Sequence, residues 1–377
     1  MSSSLASYVS FRESALIANA TDSTLLKAHL SSGLSLRYDR LTSLVLLAQL
    51  CLTGVKKQFA YVKSSNSLNL YPSSFAFVDS SSQLQVLTFN KVAGKGRSKK
   101  VLLYNSLTNG ASFALVTQRK GTSLYNFKHE FQILTTVSKI PSPYIASELF
   151  TNFIMLPAKN NRPDTPPLQK GAFLMRGFSS NVCHIPASQW HSSCLKCVSH
   201  VAQAVFSLHN SGLIHGDIRA ENVLIDQNHV FKLGDFGSAS FKGVANVYIG
   251  EGELPPEVIP NTPFIMSESF DYWGLGLFAI TFAYPSEPYW YLRHQFSEIR
   301  EQRQMDQAIQ ELREIILKNW PDPTDSGRIC RLQIVNFADH LLKIDPAKRM
   351  LVLLLLHDSG NHTPSAPPLL EVPLNPN

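Results

Sequence analysis

Three side chains at fixed intervals constrain this chain more than any other feature. Asp217 is followed five positions later by Asn222, and Asp235-Phe236-Gly237 begins thirteen positions after Asn222. The first two belong to the stretch His215-Gly216-Asp217-Ile218-Arg219-Ala220-Glu221-Asn222, and a short strand pair separates it from Asp235. Phosphoryl transfer asks little covalent chemistry of a protein. It needs a carboxylate to orient the attacking hydroxyl, oxygen ligands for Mg²⁺, and positive charge on the phosphates. Asp217 suits the first task, and Asn222 and Asp235 suit the second.

At 377 residues the chain has room for two or three domains, and 44% hydrophobic residues supply a sizeable core. Charged residues make up 16% and the net charge is +6. That mild balance fits a solvated surface and gives no reason to expect a nucleic-acid partner. The five cysteines (Cys51, Cys183, Cys194, Cys197, Cys330) are odd in number and are not spaced as a disulfide framework. The N-terminus lacks a basic segment followed by an apolar one. Residues 41–55 form the most apolar stretch of the N-terminal third, and fall short of the roughly 20 residues a bilayer span takes. The simplest expectation is a reducing, intracellular setting, cytoplasmic or nuclear, with no membrane span.

Residues 1–84 read as an N-terminal extension with an apolar helix near 41–53 and Ser/Asn-rich turns near 64–67 and 80–82. From about 85 the text becomes strand-like: Gln85 to Phe89, Val101 to Tyr104, Phe113 to Val116 and Gly171 to Met175. A single helix is expected over 127–137, and an exposed loop over 157–170. Leu195, Val198, Val201, Ala202, Val205 and Leu208 follow helical spacing, and Asn210-Ser211-Gly212 is a stop signal. Further helices are expected over 271–282, 305–317 and 332–342, with a Pro-rich disordered tail over 356–377.

Over residues 85–355 the chain resembles the eukaryotic protein kinase family. Lys232-Leu233-Gly234-Asp235-Phe236-Gly237 looks like the family's lead-in to a metal-binding Asp. Pro255-Pro256-Glu257, Asp271-Tyr272-Trp273-Gly274-Leu275-Gly276 and Asp345-Pro346 with Arg349 resemble later family segments. The resemblance implies an α+β, two-lobed fold: a small antiparallel-sheet lobe with one main helix (85–175) and a larger helical lobe (178–355). It implies a Glu257–Arg349 ion pair, ATP and Mg²⁺ as cofactors, and a protein substrate.

The first lobe departs from the family pattern. The phosphate loop reads Gly94-Lys95-Gly96-Arg97-Ser98-Lys99-Lys100-Val101, with lysine at the third glycine. The next strand carries Val116 where the family has its lysine, and Glu130 best matches the helix glutamate. Lys120, only ten residues before Glu130, is too close to replace Val116, at fourteen. One lysine has vanished and another has appeared, an arrangement similar to the With-No-Lysine kinases. An ammonium on a flexible four-carbon stem reaches the same phosphates from the opposite wall, which makes Lys99 the candidate. Gly216 stands in place of the arginine before the catalytic Asp, which argues against activation by loop phosphorylation. Arg219 replaces a lysine and keeps positive charge near the transferring phosphate. Gly250 stands near an expected threonine and puts peptide positioning in doubt.

For the nucleotide, the resemblance implies Gly94 and Gly96 over the phosphates, Val101 and Ala114 above the purine, and Leu224 below. Met175 would be the gatekeeper, with Arg176 to Phe178 as the hinge, and His215 would pack under Phe236. Cys183, His184, His191, Cys194, Cys197 and His200 cluster closely enough to suggest zinc. Their spacing on a helix and the lack of a second Cys-x-x-Cys favour packing instead. Two readings remain besides an active Ser/Thr kinase: a pseudokinase serving as a nucleotide-binding scaffold, and a kinase fold acting on a small molecule.

Overall fold

The strand-rich part of the chain forms one seven-stranded sheet in which every neighbouring pair is antiparallel. This is a computed structural model that describes residues 59–63, 72–78, 84–96, 98–106, 109–150, 153–157, 169–178, 180–185, 187–247, 253–259, 261–284 and 289–351. Its strands are β1 (Phe59–Lys63), β2 (Pro72–Val78), β3 (Leu84–Lys95), β4 (Lys99–Ser106), β5 (Ser112–Gln118), β6 (Ile154–Pro157) and β7 (Gln169–Arg176). They are ordered β1-β2-β3-β4-β5-β7-β6. The four expected strands fall within β3, β4, β5 and β7. The sheet also reaches back beyond residue 85. β1 and β2 lie in the stretch read as an N-terminal extension, and β2 pairs along β3 from Ser74↔Thr88 to Val78↔Leu84. The helix expected near 41–53, the turns near 64–67 and 80–82, most of the 157–170 loop and the 356–377 tail lie outside the described residues.

The one helix of this lobe among the described residues, α1 (Leu124–Val137), starts where the Ser123 hydroxyl accepts from the Asn126 N–H. Phe127, Glu130, Ile133, Leu134 and Val137 form its buried stripe. The rings of Phe127 and Phe131 lie 5.5 and 5.4 Å from Phe173 on β7. Glu130 is the one charged side chain in an otherwise apolar stripe, and a buried charge requires a partner.

The second lobe follows, with β8 (Ser180–Asn181), α2 (Ala187–Asn210), β9 (Leu213–Ile214), β10 (Val223–Ile225), β11 (Phe231–Leu233), β12 (Ser240–Phe241), β13 (Ala245–Val247) and β14 (Pro263–Ile265). Four helices complete it: α3 (Glu268–Ala283), α4 (Tyr289–Ser297), α5 (Gln302–Asn319) and α6 (Ser326–Leu341). From Leu275 to Ala283 every residue of α3 is buried. A helix apolar on all sides belongs at the centre of a lobe, and α2, α4 and α6 pack around it. This is the α+β, two-lobed kinase architecture expected from the sequence.

Candidate active site

The site is built on the segment between β9 and β12. β10 and β11 pair through Val223↔Leu233, Leu224↔Lys232 and Ile225↔Phe231. Their two ends therefore meet, and the Gly234 N–H donates to the Asn222 carbonyl at 2.9 Å. This closure brings Asn222 beside Asp235, thirteen residues further along the chain. The Asn222 amide Nδ2 donates to the Asp217 backbone oxygen at 2.8 Å and to its carboxylate Oδ2 at 2.9 Å. With Nδ2 committed in this way, the amide oxygen is left for another partner.

The start of the loop is fixed from below by Asp271 of α3. Its carboxylate accepts from the His215 N–H at 2.7 Å and the Gly216 N–H at 2.8 Å, and pairs with His209 Nε2 at 2.8 Å. Burial pushes the Asp271 carboxyl up, but the His209 contact and the two loop N–H groups hold it below the ordinary carboxylate range. Gly216 has φ +78°, and a Cβ there would lie 2.7 Å from the Ser238 carbonyl oxygen. An arginine at this position would meet both strain and a clash. His215 is fully buried, with its ring 5.2 Å from Phe236 and Nε2 3.0 Å from the Gly234 carbonyl, so it serves packing as expected.

The upper wall follows from strand alternation. Lys99, Val101 and Leu103 share one face of β4, Ala114 and Val116 that of β5, and Phe173 and Met175 that of β7. The registers Leu103↔Ala114, Val101↔Val116 and Ala114↔Met175 set them side by side. The Lys99 ammonium bridges Glu130 of α1 and Asp235 Oδ1, the latter at 2.6 Å. Lys99 opens β4, right after a turn closed by the Gly96 N–H to the Lys99 carbonyl at 3.0 Å. That turn is pinned from the β5–α1 connection. The Arg119 guanidinium donates to the Gly96 carbonyl, and the Thr122 hydroxyl donates to the Ser98 carbonyl at 3.1 Å. Lys120 is exposed and lies outside the cavity.

These walls enclose a cavity of about 280 Å³. Gly94, Gly96, Lys99, Val101, Ala114, Glu130, Met175, Arg176, Phe178, Asn222, Leu224 and Asp235 all line it. Asp217 and Arg219 do not; Asp217 stands one hydrogen bond away, through Asn222.

Burial works against the Lys99 charge, but Asp235 and then Glu130 outweigh it and raise the ammonium above its ordinary range. Burial likewise pushes Asp235 up, yet Lys99 and the Gly237 N–H hold it below the carboxylate range. Glu130 is raised by burial and, less, by Asp235, with Lys99 pulling the other way. Asp235 thus keeps the firmer negative charge of the two.

Residues 181–359 match the family described as protein kinase domain. Over this segment, a little under half of its length, the chain is similar to the protein kinase superfamily. It is 27% identical over 196 residues to serine/threonine-protein kinase N2 of Danio rerio, covering 49% of this chain and 19% of that protein. It is 33% identical over 119 residues to serine/threonine-protein kinase Tao of Drosophila melanogaster, covering 30% of this chain and 11% of that protein. The matched parts thus span about a fifth or less of these relatives' lengths. Among solved structures, ROP2 of Toxoplasma gondii is described as a virulence factor with a protein-kinase fold and no enzymatic activity. It is similar with a TM-score of 0.49 and 18% identity, over 76% of this chain and 82% of that one.

Other kinase features meet their expectations. Arg349 forks onto Glu257 with bonds of 2.7 and 2.8 Å, the arginine side chain 0% and the glutamate 30% exposed. The Ser269 and Lys343 carbonyls and the Trp273 ring complete the arginine's surroundings. In the hinge, Gly177 has no room for a Cβ, which would sit 2.5 Å from the Ser112 hydroxyl. Arg176 turns to Glu148.

Arg219 does not line the cavity. Its guanidinium forks onto Glu221 at 2.8 and 2.7 Å, so the positive charge expected beside the transferring phosphate is engaged by a carboxylate. In the Cys/His cluster, Cys194 and Cys197 are buried on α2, and burial pushes both thiols up. His200 Nδ1 accepts from the Phe231 N–H, and burial lowers the ring to about 4. Packing accounts for these three; the His191 side chain lies outside the described residues.

Leu103, Leu134, Phe173, Asn181, Glu221 and Phe236 also line the cavity and were not anticipated. Period-two spacing from Lys99 and Val101 would have found Leu103. Asn181, which donates to the Glu221 carbonyl at 3.3 Å, has no sequence signal.

For a metal, Asn222 and Asp235 offer hard oxygen donors on one cavity wall. Among the described residues no group of three or more His, Cys, Asp or Glu could cage an ion. Two protein donors suit Mg²⁺, which keeps waters and takes substrate phosphates as further ligands. The residues therefore fit Mg²⁺ delivered with a nucleotide. No described helix is long and apolar enough to cross a membrane.

Proposed function

We propose that the chain is an active protein kinase that transfers the γ-phosphate of ATP to Ser or Thr hydroxyls of a protein substrate. The observation that carries this reading is the placement of Lys99. Its ammonium stands between Glu130 and Asp235 in the cavity that Asn222 also lines, although it comes from β4 rather than β5. In this reading Asp217 orients the substrate hydroxyl and Lys99 neutralises phosphate charge, held in place by Glu130. Asn222 and Asp235 hold Mg²⁺, which would supply charge neutralisation on the phosphates. Gly94 and Gly96 let the turn approach the phosphates. Val101, Ala114 and Leu224 sandwich the purine beside Met175, and the backbone from Arg176 to Phe178 bonds it. Arg219 holds Glu221 and, through it, the shape of the loop.

One observation favours a second reading, a nucleotide-binding pseudokinase. Arg219 is tied to Glu221, so of the two cations expected at the phosphates only Lys99 faces the cavity.

The test is γ-phosphate transfer from Mg-ATP to generic protein substrates and to the chain itself, with Asp217→Asn as control. Transfer that the control lacks establishes the enzyme, with an expected loss of ~10²–10⁴-fold. Mg-dependent nucleotide binding without transfer would favour the pseudokinase.

A further inference from the structure

A lysine needs a fixed root before its ammonium can be aimed. Val116, inside β5, has such a root: Val101↔Val116 pairs it with β4 and Val116↔Phe173 pairs it with β7. Lys99 is held differently. It is the first residue of β4, its register partner is Gln118 at the end of β5, and the pairing of β4 with β3 stops at Lys95↔Lys100. Directly before it lies the turn closed by the Gly96 N–H on the Lys99 carbonyl. Strand ends are where a sheet opens first, so this root needs support from outside the ladder.

The support comes from the connection between β5 and α1, residues 119–123. The Arg119 N–H donates to the Ser98 carbonyl at 3.0 Å, and the Thr122 hydroxyl donates to the same oxygen at 3.1 Å. The Arg119 guanidinium takes the Gly96 carbonyl. These donors hold two carbonyls of the turn, one of them on the residue directly before Lys99. The connection is itself closed. Gly121 turns it with φ +89°, the Thr122 N–H returns to the Arg119 carbonyl at 3.2 Å, and Gln118 Nε2 donates to the Thr122 carbonyl at 2.7 Å. Gln118 Oε1 in turn accepts from the Gly171 N–H on β7 at 2.9 Å. The next residue, Ser123, caps α1, and Glu130 lies about two turns along that helix.

We propose that Arg119 and Thr122 are positioning residues for Lys99. They clamp the turn that roots Lys99 to the start of the helix that carries Glu130, so that the ammonium keeps its spacing to Glu130 and Asp235. This assignment rests on the reading of Lys99 as the cation that neutralises phosphate charge. Neither side chain lines the cavity, and Arg119 is exposed, so both act through the backbone that carries Lys99 rather than on a nucleotide. A charge beside reacting groups must be aimed closely, since a misplacement of about 1 Å can cost ~10²-fold in rate. Side chains at the surface usually contribute little to stability, so rate and folding report separately on this clamp.

The experiment measures kcat and KM for Mg-ATP, with urea unfolding midpoints alongside, in the full-length chain carrying Thr122→Val, Thr122→Ser, or Arg119→Ala with Thr122→Val. Asp217→Asn is the blank. The Arg119→Ala/Thr122→Val pair is also placed on Lys99→Met/Val116→Lys, where the lysine is rooted inside β5. On the parent, the pair should lower kcat by ~10–10²-fold and leave the unfolding midpoint almost unmoved. Thr122→Ser keeps the hydroxyl and should stay within about threefold of the parent. On the second background the pair should cost no more than about threefold, because it acts through a residue no longer in use. An equal loss on both backgrounds would overturn the proposal, since the clamp would then serve the turn or the fold and not Lys99. So would a loss in Thr122→Ser as large as in Thr122→Val. Parent-level kcat with both contacts removed, while Lys99→Met is inactive, would sink the clamp and leave the reading of Lys99 standing. Parent-level transfer by Lys99→Met, or no transfer by the parent, would instead remove that reading, and the clamp with it.

Discussion

The two lobes place their charged groups under different constraints. In the second, Asp217, Asn222 and Asp235 sit on backbone held at several points: by Asp271 from α3, by the β10–β11 pair, and by the Gly234–Asn222 bond. In the proposed reading Asn222 and Asp235 meet a metal ion and Asp217 a substrate hydroxyl, and short side chains on so constrained a backbone leave little room for displacement. In the first lobe the sheet dictates which face a residue occupies, but not which strand supplies the cation. β4 and β5 are neighbours, and Val101↔Val116 puts their cavity-facing positions side by side. A lysine ammonium on a long stem can therefore reach Glu130 and Asp235 from β4 as readily as from β5. Chain position is binding where the ligand is a short carboxylate or amide, and negotiable where it is the end of a flexible side chain.

The strongest way to break this comparison is to remove the Lys99 cation. Lys99→Met should lower phosphate transfer by ~10²–10³-fold, the usual effect of deleting one electrostatic contact to the reacting groups; steady-state kinetics with Mg-ATP read it. Next comes the anchoring of the second lobe. Glu257→Ala strands the buried Arg349 guanidinium and should cost about 2–3 kcal/mol in urea unfolding. That lies below the ~3–5 kcal/mol of a fully buried pair, because the Glu257 side chain keeps 30% exposure.

A smaller effect separates the lobes by pH. Asp271 is held below the ordinary 3.8 when folded. Its stabilisation is therefore fully present above 3.8 and is lost as pH falls through the lower folded value. Asp271→Asn should flatten the acid limb of a stability–pH profile relative to the parent. An unchanged limb would remove Asp271 as the loop's anchor. The smallest effect is expected of Lys120→Met. Lys120 is exposed in a turn and outside the cavity, so activity should stay within about twofold, given how little exposed surface positions usually matter.

Much of the second lobe was legible in the sequence because its local signals and its tertiary demands coincide. The helical spacing from Leu195 to Leu208 and the stop at Asn210 both appear in α2. Glu257 and Arg349 meet across 92 residues because each belongs to a recognisable segment. The first lobe was legible in its strands and in Lys99, but not in its extent. Nothing in Phe59–Lys63 or Pro72–Val78 distinguishes a strand that extends a sheet from one that stands apart, since pairing is a long-range property. Arg219 shows a related limit. Its charge is readable in the sequence, but its capture by Glu221 two residues away is not. The Arg119 latch on the Gly96 turn was invisible too, because a guanidinium bonded to a backbone carbonyl leaves no pattern in the sequence.

The most direct test of the role proposed for Lys99 is to move the cation to β5. Val116 lines the cavity on β5, so phosphate transfer should be compared in the parent, Lys99→Met, and Lys99→Met with Val116→Lys, using Asp217→Asn as the blank. The account predicts a loss of ~10²–10³-fold in the single variant. It predicts a recovery of at least tenfold when the lysine returns at position 116. Transfer by Lys99→Met at the parent rate would contradict it.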